Sequence, residues 1–320
     1  MIEIELPHSS SRSPSPIWPL FEFSPMTLET VAPERMGQLG ETADGVRLLL
    51  RDDPVWQFYY SPGEKRIVAS RRAMELLWSA ALVHYLLKRI DEQGGSQKER
   101  LGRARHETVQ AALRLYKETV VDVAGRQGNV MVPWPDWAPI PVPPSIILPG
   151  QAFTPEQWAG EMCLSAIGVV YHHELAHHYL RHAAGDVSRG ERIEEERDAD
   201  VAALDWVLDG RDVPVKALAK RMIGALIAYS TLTSVELIQH SSGEKDSLGQ
   251  THPLSHDRLF RIIERQVDPV LKETAWLFAS VALRLNLTFV DLVLPPRVYE
   301  HHEEVVMTCV GLLDQWFADH

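Results

Sequence analysis

Two histidines and a glutamate at helical spacing constrain this chain more than any other feature of its sequence. His173-Glu174-x-x-His177 places two imidazoles four residues apart, and such residues lie on one face of an α-helix, one turn apart. Both rings can therefore reach a single metal ion. Glu174 lies about 100° around the helix axis from His173, where it can contact a water on that metal. The spacing predicts a zinc site with Glu174 as the general base.

The residues before these histidines carry the signals of a long core helix. Thr154 can cap the helix, Pro155 fits the first helical position, and Gln157 completes a capping box. Apolar residues such as Val170 precede the histidines directly, so this face is predicted to be buried. We predict a helix that runs from this cap to about Ala184.

A second helix, predicted from about Ser188 to Gly210, offers the missing ligand. Catalytic zinc takes three protein ligands and keeps a fourth position open. Glu196 is predicted to be the third ligand. Asp200, one turn later, is predicted to accept the second N–H of a ligating histidine and so fix its tautomer.

Other interpretations of these residues remain open at this point. The His-Glu-x-x-His spacing arises by chance in many chains, in which case His173 and His177 are ordinary histidines on a helix surface. Glu194 and Glu195 are interpreted as solvated acids. Three neighbouring histidines point away from the metal face and are interpreted as non-ligands: His172, His178 and His182.

A further candidate is His252, which stands in the sequence Thr251-His252-Pro253 before a predicted helix cap at Ser255. One interpretation is a loop histidine with no role. The other is a catalytic histidine that lies near the metal and stabilises the oxyanion of the tetrahedral intermediate.

The order of local patterns predicts a mainly α fold (α+β) with three regions. Residues 1–24 are rich in Ser and Pro and are predicted to form an irregular arm. Residues 25–150 form an α+β region with a hairpin at 56–70 and a proline-rich segment at 129–150. Residues 151–320 form a helical region that contains the metal site.

Composition limits the partners and the cellular compartment that we expect for this protein. The formal net charge is −12, so a phosphate backbone is repelled and no nucleic-acid partner is expected. Only Cys163 and Cys309 are present, which fits a reducing compartment. The first residues lack the basic start of a signal peptide, and no uncharged apolar run reaches about 18 residues. We therefore expect a cytoplasmic protein without a membrane partner.

The pattern His173-Glu174-x-x-His177 followed by Glu196-x-x-x-Asp200 resembles that of the gluzincin metallopeptidases. The sequence from Glu196 to Trp206 looks most like the Lit-type phage-exclusion peptidases, and Thr251-His252-Pro253 with Arg258 is similar to a segment of HtpX-like peptidases. The resemblance covers about residues 155–265 and implies a zincin-like helical metalloprotease core. It also implies an antiviral endopeptidase that cleaves a protein or peptide substrate, elongation factor Tu, after activation by a phage product.

Two rival functions share the predicted zinc site. A regulatory peptidase of the ImmA/IrrE kind would cleave a repressor, and a helix-turn-helix in the N-terminal region would support it. A zinc-stapled interaction protein would fill the fourth zinc position with a protein ligand such as His252, and would not catalyse a reaction.

Overall fold

The protein is described by a computed structural model, which covers residues 3–7, 14–95, 97–125, 132–143, 152–182, 188–209, 213–243, 252–266 and 268–320. Within these ranges the chain is mostly helical and carries one small β-sheet. The predicted mainly α fold with a small β element is confirmed.

Helices occur in both halves of the chain, and in the first half they are interspersed with the strands. They are α1 (Trp18–Phe23), α2 (Thr27–Thr30), α3 (Met36–Thr42), α4 (Arg71–Glu92), α5 (Gln97–Ala104), α6 (Glu107–Gly125), α7 (Pro155–Tyr179), α8 (Arg189–Leu208), α9 (Val215–Ser241), α10 (Ser255–Glu264), α11 (Pro269–Leu287) and α12 (His302–Asp319).

Local caps start the two helices that carry the predicted metal site. The Thr154 hydroxyl accepts the Gln157 backbone N–H, and the Gln157 side chain accepts the Thr154 N–H in return, so the predicted capping box of α7 is present. Ser188 and Glu191 form the same reciprocal pair at the start of α8. Each box satisfies backbone donors that a helix start would otherwise leave unpaired.

The strands form a mixed sheet in the order β1 (Glu3–Glu5), β2 (Arg47–Arg51), β4 (Arg66–Ser70), β3 (Phe58–Ser61). β2 runs parallel to both β1 and β4, whereas β3 and β4 form the predicted hairpin. Among the described strands β3 therefore lies at one edge of the sheet.

The prediction of an irregular arm over residues 1–24 is wrong where the structure describes those residues. Ile4 pairs with Leu48 in the parallel ladder between β1 and β2. Trp18 and Phe21 of α1 are buried in the core. The serines and prolines of this region do not prevent either element, because a proline is tolerated at the start of a helix and the strand pairs with residues far along the chain.

Helix α7 lies at the centre of the molecule and contacts α4, α8, α9 and the hairpin. The approach to α9 is close, because a Cβ atom added to Gly224 would lie 2.7 Å from the carbonyl carbon of Ser165. On another side Phe58 of β3 meets Tyr171 of α7 edge to face. These contacts place the edge strand beside the predicted metal ligands.

The proline-rich segment is described only over residues 132–143, where it is not helical; its remaining parts lie outside the described residues. Trp134 packs against Trp78 of α4, and the Val142 carbonyl lies against Gly160 of α7. The division into three regions stays a prediction.

Helix α9 is long and apolar enough to cross a membrane, but most of it is buried inside the protein. That burial is typical of the core helix of a soluble protein.

Candidate metal centre and active site

Helices α7 and α8 bring the three predicted ligands together. His173 Nε2 lies 3.1 Å from His177 Nε2 and 3.1 Å from Glu196 Oε2. The other Glu196 oxygen lies 3.4 Å from His177 Nε2. Helical spacing on α7 fixes the two imidazoles, and the packing of α8 against α7 supplies the carboxylate.

The donor set fits a tetrahedral metal ion. Zinc–nitrogen bonds of about 2.0–2.1 Å place neighbouring ligand atoms of a tetrahedral site about 3.3 Å apart. The two imidazole nitrogens lie at similar distances from each other and from the Glu196 oxygens. Two imidazole nitrogens and a carboxylate are also among the ligands that zinc takes in proteins.

The charges around His173 favour a positive group at this position. Burial alone would lower its pKa, but Asp200 and Glu196 raise the pKa of His173 to about 10. Burial alone would raise the pKa of Glu196, yet His173 and His177 hold it well below its usual value. The carboxylate is therefore ionised and available as a ligand.

Asp200 lies next to Nδ1 of His173, the ring nitrogen that faces away from the candidate metal position. Its Oδ1 lies 3.0 Å from His173 Nδ1, and the same oxygen accepts the Tyr229 hydroxyl at 2.8 Å and the Arg258 guanidinium. Burial alone would raise the pKa of Asp200, but Arg258 and His173 lower it below its ordinary range. The ionised carboxylate lies close enough to favour a proton on Nδ1 of His173, which would leave the Nε2 lone pair free for a metal.

Glu174 lies beside the ligands without joining them. Only 7% of the residue is exposed, and its burial raises the pKa of the carboxyl group. The backbone N–H of Tyr60 in β3 donates to this carboxylate. A buried carboxyl group with a raised pKa, one residue from a candidate metal ligand, is suited to accept a proton and return it.

His252 lies at the edge of the cluster. Its Nε2 is 3.2 Å from Glu196 Oε2, and burial lowers the pKa of His252 to about 4, so the ring is neutral. Among the described residues at this site, the donor atoms that all lie within 4.8 Å of one another belong to His173, His177 and Glu196. His252 therefore flanks the three candidate ligands from one side.

The neighbouring histidines have other partners. The Nδ1 of His172 lies 2.6 Å from the Gly168 carbonyl, and the Nδ1 of His178 lies 2.6 Å from the Tyr60 hydroxyl. His182 Nδ1 lies 2.8 Å from His177 Nδ1, a contact that the sequence does not predict.

Two openings meet at the candidate centre and share His173, Glu174 and His252 in their walls. The wider one, of about 590 Å³, is open to solvent and is also lined by His177 and Glu196. The second is a cavity of about 300 Å³ with mostly apolar walls. We call it the apolar cavity; its walls include Trp56, Phe58, Leu77, Val169, Val170 and Leu232.

The charged residues in the wall of the apolar cavity have partners within the protein. Glu236 accepts both the backbone N–H of Ser255 at 3.1 Å and its hydroxyl at 2.6 Å, and Arg258 donates to Asp200. The cavity therefore suits an apolar group better than a charged one.

Comparison with known proteins places the chain in a family. A family model described as Peptidase U49 matches residues 67–279. A cell death peptidase of Escherichia coli (strain K12) is 25% identical over 252 residues, which cover 77% of this chain and 80% of that protein. No solved structure matches the chain significantly. These matches confirm the predicted resemblance to Lit-type peptidases. Because the family model covers well over half of its length, this protein belongs to the peptidase U49 family.

Proposed function

We propose that this protein is a zinc-dependent endopeptidase that hydrolyses a peptide bond in a cytoplasmic protein. The observation that carries the proposal is the convergence of His173, His177 and Glu196 beside a buried Glu174. Three protein ligands leave the fourth zinc position to water or substrate. The match to a peptidase family supports hydrolysis of a peptide bond.

Zinc, when bound, would polarise the scissile carbonyl and lower the pKa of a water to about 7. Glu174 would take the proton of that water and pass it to the leaving amine. Asp200 would hold His173 in its metal-binding tautomer. His252, which lies beside Glu196, is proposed to donate to the oxyanion of the tetrahedral intermediate.

The position of β3 at the edge of the sheet supports the proposal that the substrate is a peptide. The Ser70 N–H donates to the Gln57 carbonyl at 3.0 Å, so alternation along the hairpin turns the backbone groups of Phe58 and Tyr60 away from β4. Tyr60 meets Glu174 on that side. An extended peptide that paired with β3 would carry its carbonyl group to the metal site.

The apolar cavity supports the proposal that the enzyme prefers peptides with an apolar side chain next to the scissile bond. It adjoins both His173 and Glu174, so a side chain next to the scissile bond would enter it. Its walls are mostly apolar and its charged residues have partners within the protein, so an apolar side chain is favoured there.

The target and the activator are proposed from the resemblance to Lit-type peptidases. Elongation factor Tu is the proposed substrate, and a phage product is the proposed activator. The name of the Escherichia coli relative, a cell death peptidase, fits such a toxic cleavage.

A non-catalytic zinc-stapled protein is the weaker candidate. It needs a fourth protein ligand, and His252 does not belong to the group of donors that lie within 4.8 Å of one another in the described chain. This arrangement favours an open fourth position.

The zinc content of purified variants tests the proposed ligand set. Glu196→Ala should lose most of its zinc, because two imidazoles alone bind the ion weakly. Glu195→Ala is the matched control. Glu195 directly precedes Glu196 on α8, and its Oε2 accepts a hydrogen bond from the Arg192 guanidinium at 3.2 Å. Elemental analysis should find one zinc per chain in the wild type and in the control. Full zinc in Glu196→Ala together with its loss in Glu195→Ala would assign the third ligand to Glu195.

A further inference from the structure

The end of α7 is built by a turn that folds the chain back onto a metal ligand. Arg181 adopts a left-handed backbone conformation with φ of 58°. The His182 N–H donates to the His177 carbonyl at 3.1 Å, and the Arg181 N–H donates to the His178 carbonyl at 3.2 Å. These paired bonds define the Schellman motif, which brings the second residue after the helix cap against the last turn of the helix.

In this motif the returning residue usually makes an apolar contact with the helix. Here the contact is between two imidazoles. The rings of His177 and His182 lie 4.9 Å apart at an angle of 71°, and their Nδ1 atoms are 2.8 Å apart. The turn therefore aims one ring nitrogen of His182 at the nitrogen of His177 that faces away from the candidate metal.

The positions of the protons follow from the atoms that surround His177. A neutral imidazole has one N–H and one lone pair. His177 Nε2 faces His173 Nε2 and Glu196, so with a metal bound it would present its lone pair to that metal. Its proton would then be on Nδ1 and would donate to His182 Nδ1, while His182 would carry its own proton on Nε2.

We propose that His182 is a positioning residue that fixes the tautomer and orientation of His177 for zinc binding. The inference rests on the proposed zinc function. It gives each histidine ligand a partner on its outer nitrogen: the Asp200 carboxylate for His173 and a neutral imidazole for His177. Partners of this kind stabilise bound metal without touching it.

Zinc affinity, measured by competition between metal-free protein and a chromophoric chelator, tests the proposal. His182→Ala should weaken zinc binding about 10–100-fold. His182→Gln should recover part of that loss, because its side-chain oxygen can accept the Nδ1–H. His178→Ala is the matched control, since His178 lies on the same helix end and contacts Tyr60 instead of a ligand; it should bind zinc like the wild type.

A second readout follows the proton itself. In zinc-loaded protein labelled with ¹⁵N in the histidine rings, the Nδ1–H signal of His177 should shift in His182→Ala and stay in place in His178→Ala. Wild-type zinc affinity in His182→Ala would overturn the role of His182 and leave the proposed function intact. Failure of the wild type to bind zinc at all would contradict the proposed function itself.

Discussion

At the scale of single residues, Asp200 links the candidate metal site to the core. One of its oxygens faces His173, Tyr229 and Arg258. Arg258 is only 3% exposed and stacks over the Tyr229 ring at 4.4 Å. The carboxylate therefore balances a buried guanidinium as well as holding a ligand.

Removing this carboxylate should destabilise the protein strongly even without metal. Asp200→Ala leaves the Arg258 charge buried without its partner, which typically costs about 3–5 kcal/mol. The matched control is Asp205→Ala on the same helix, because Asp205 is 52% exposed and pairs with Arg265 near the surface; such pairs contribute about 1 kcal/mol or less. Denaturant unfolding of metal-free protein measures both. Equal losses for the two variants would contradict the assigned role of Asp200.

The sequence predicts those candidate site residues whose relative positions are determined within one helix. His173, Glu174 and His177 follow from spacing on α7, and Glu196 with Asp200 follows from spacing on α8. The sequence did not reveal the role of Tyr229 or the Tyr60 backbone, because each reaches the site from an element far along the chain. The fold alone brings such residues together.

At the scale of helices and strands, local sequence signals predict the start of helix α7 better than its end. The capping box at Thr154 is a local pattern, and α7 begins there. Helix α7 ends at Tyr179 rather than near Ala184, because Arg181 adopts a left-handed backbone conformation. That conformation is uncommon for a residue other than glycine, so the sequence does not predict it. Strands β1 and β2 were missed, since short strands are stabilised by pairing with distant partners.

A buried histidine joins three of the long helices. The Nδ1 of His84 on α4 lies 2.6 Å from the Ala80 carbonyl, and its Nε2 lies 3.1 Å from the Ser230 hydroxyl of α9. Its ring stacks on Phe278 of α11 at 5.5 Å. Burial lowers the pKa of His84 to about 4, so the folded protein keeps this ring neutral.

The free energy of unfolding should therefore fall as the pH drops below the unfolded pKa of His84, about 6.5. The unfolded chain then binds a proton that the folded protein excludes until about pH 4, so stability is full above pH 6.5 and decreases towards pH 4. Between pH 7.5 and pH 5 the contribution of His84 is about 2 kcal/mol. His84→Gln should remove that amount from the pH difference measured by denaturant unfolding of metal-free protein.

The control for this measurement is His106→Gln, at an exposed histidine before α6. It should keep the pH difference of the wild type. An unchanged pH difference in His84→Gln would mean that the ring of His84 is not held neutral by the fold.

At the scale of the whole molecule, the site is assembled from both halves of the chain. The family model matches residues 67–279, which contain all of β4 except Arg66 and both helices of the candidate ligands, but not β3. Yet β3 supplies the Tyr60 backbone to Glu174 and part of the wall of the apolar cavity. The candidate metal ligands thus lie inside the matched region, whereas the proposed peptide-binding edge lies outside it.

The central claim is that Glu174 catalyses hydrolysis of a protein substrate at a zinc site. The most direct measurement compares new protein termini in bacterial cells that express the wild type or Glu174→Gln, with and without phage infection. We expect new termini with the wild type alone, while both purified proteins hold one zinc per chain. The same new termini in cells that express Glu174→Gln would contradict it.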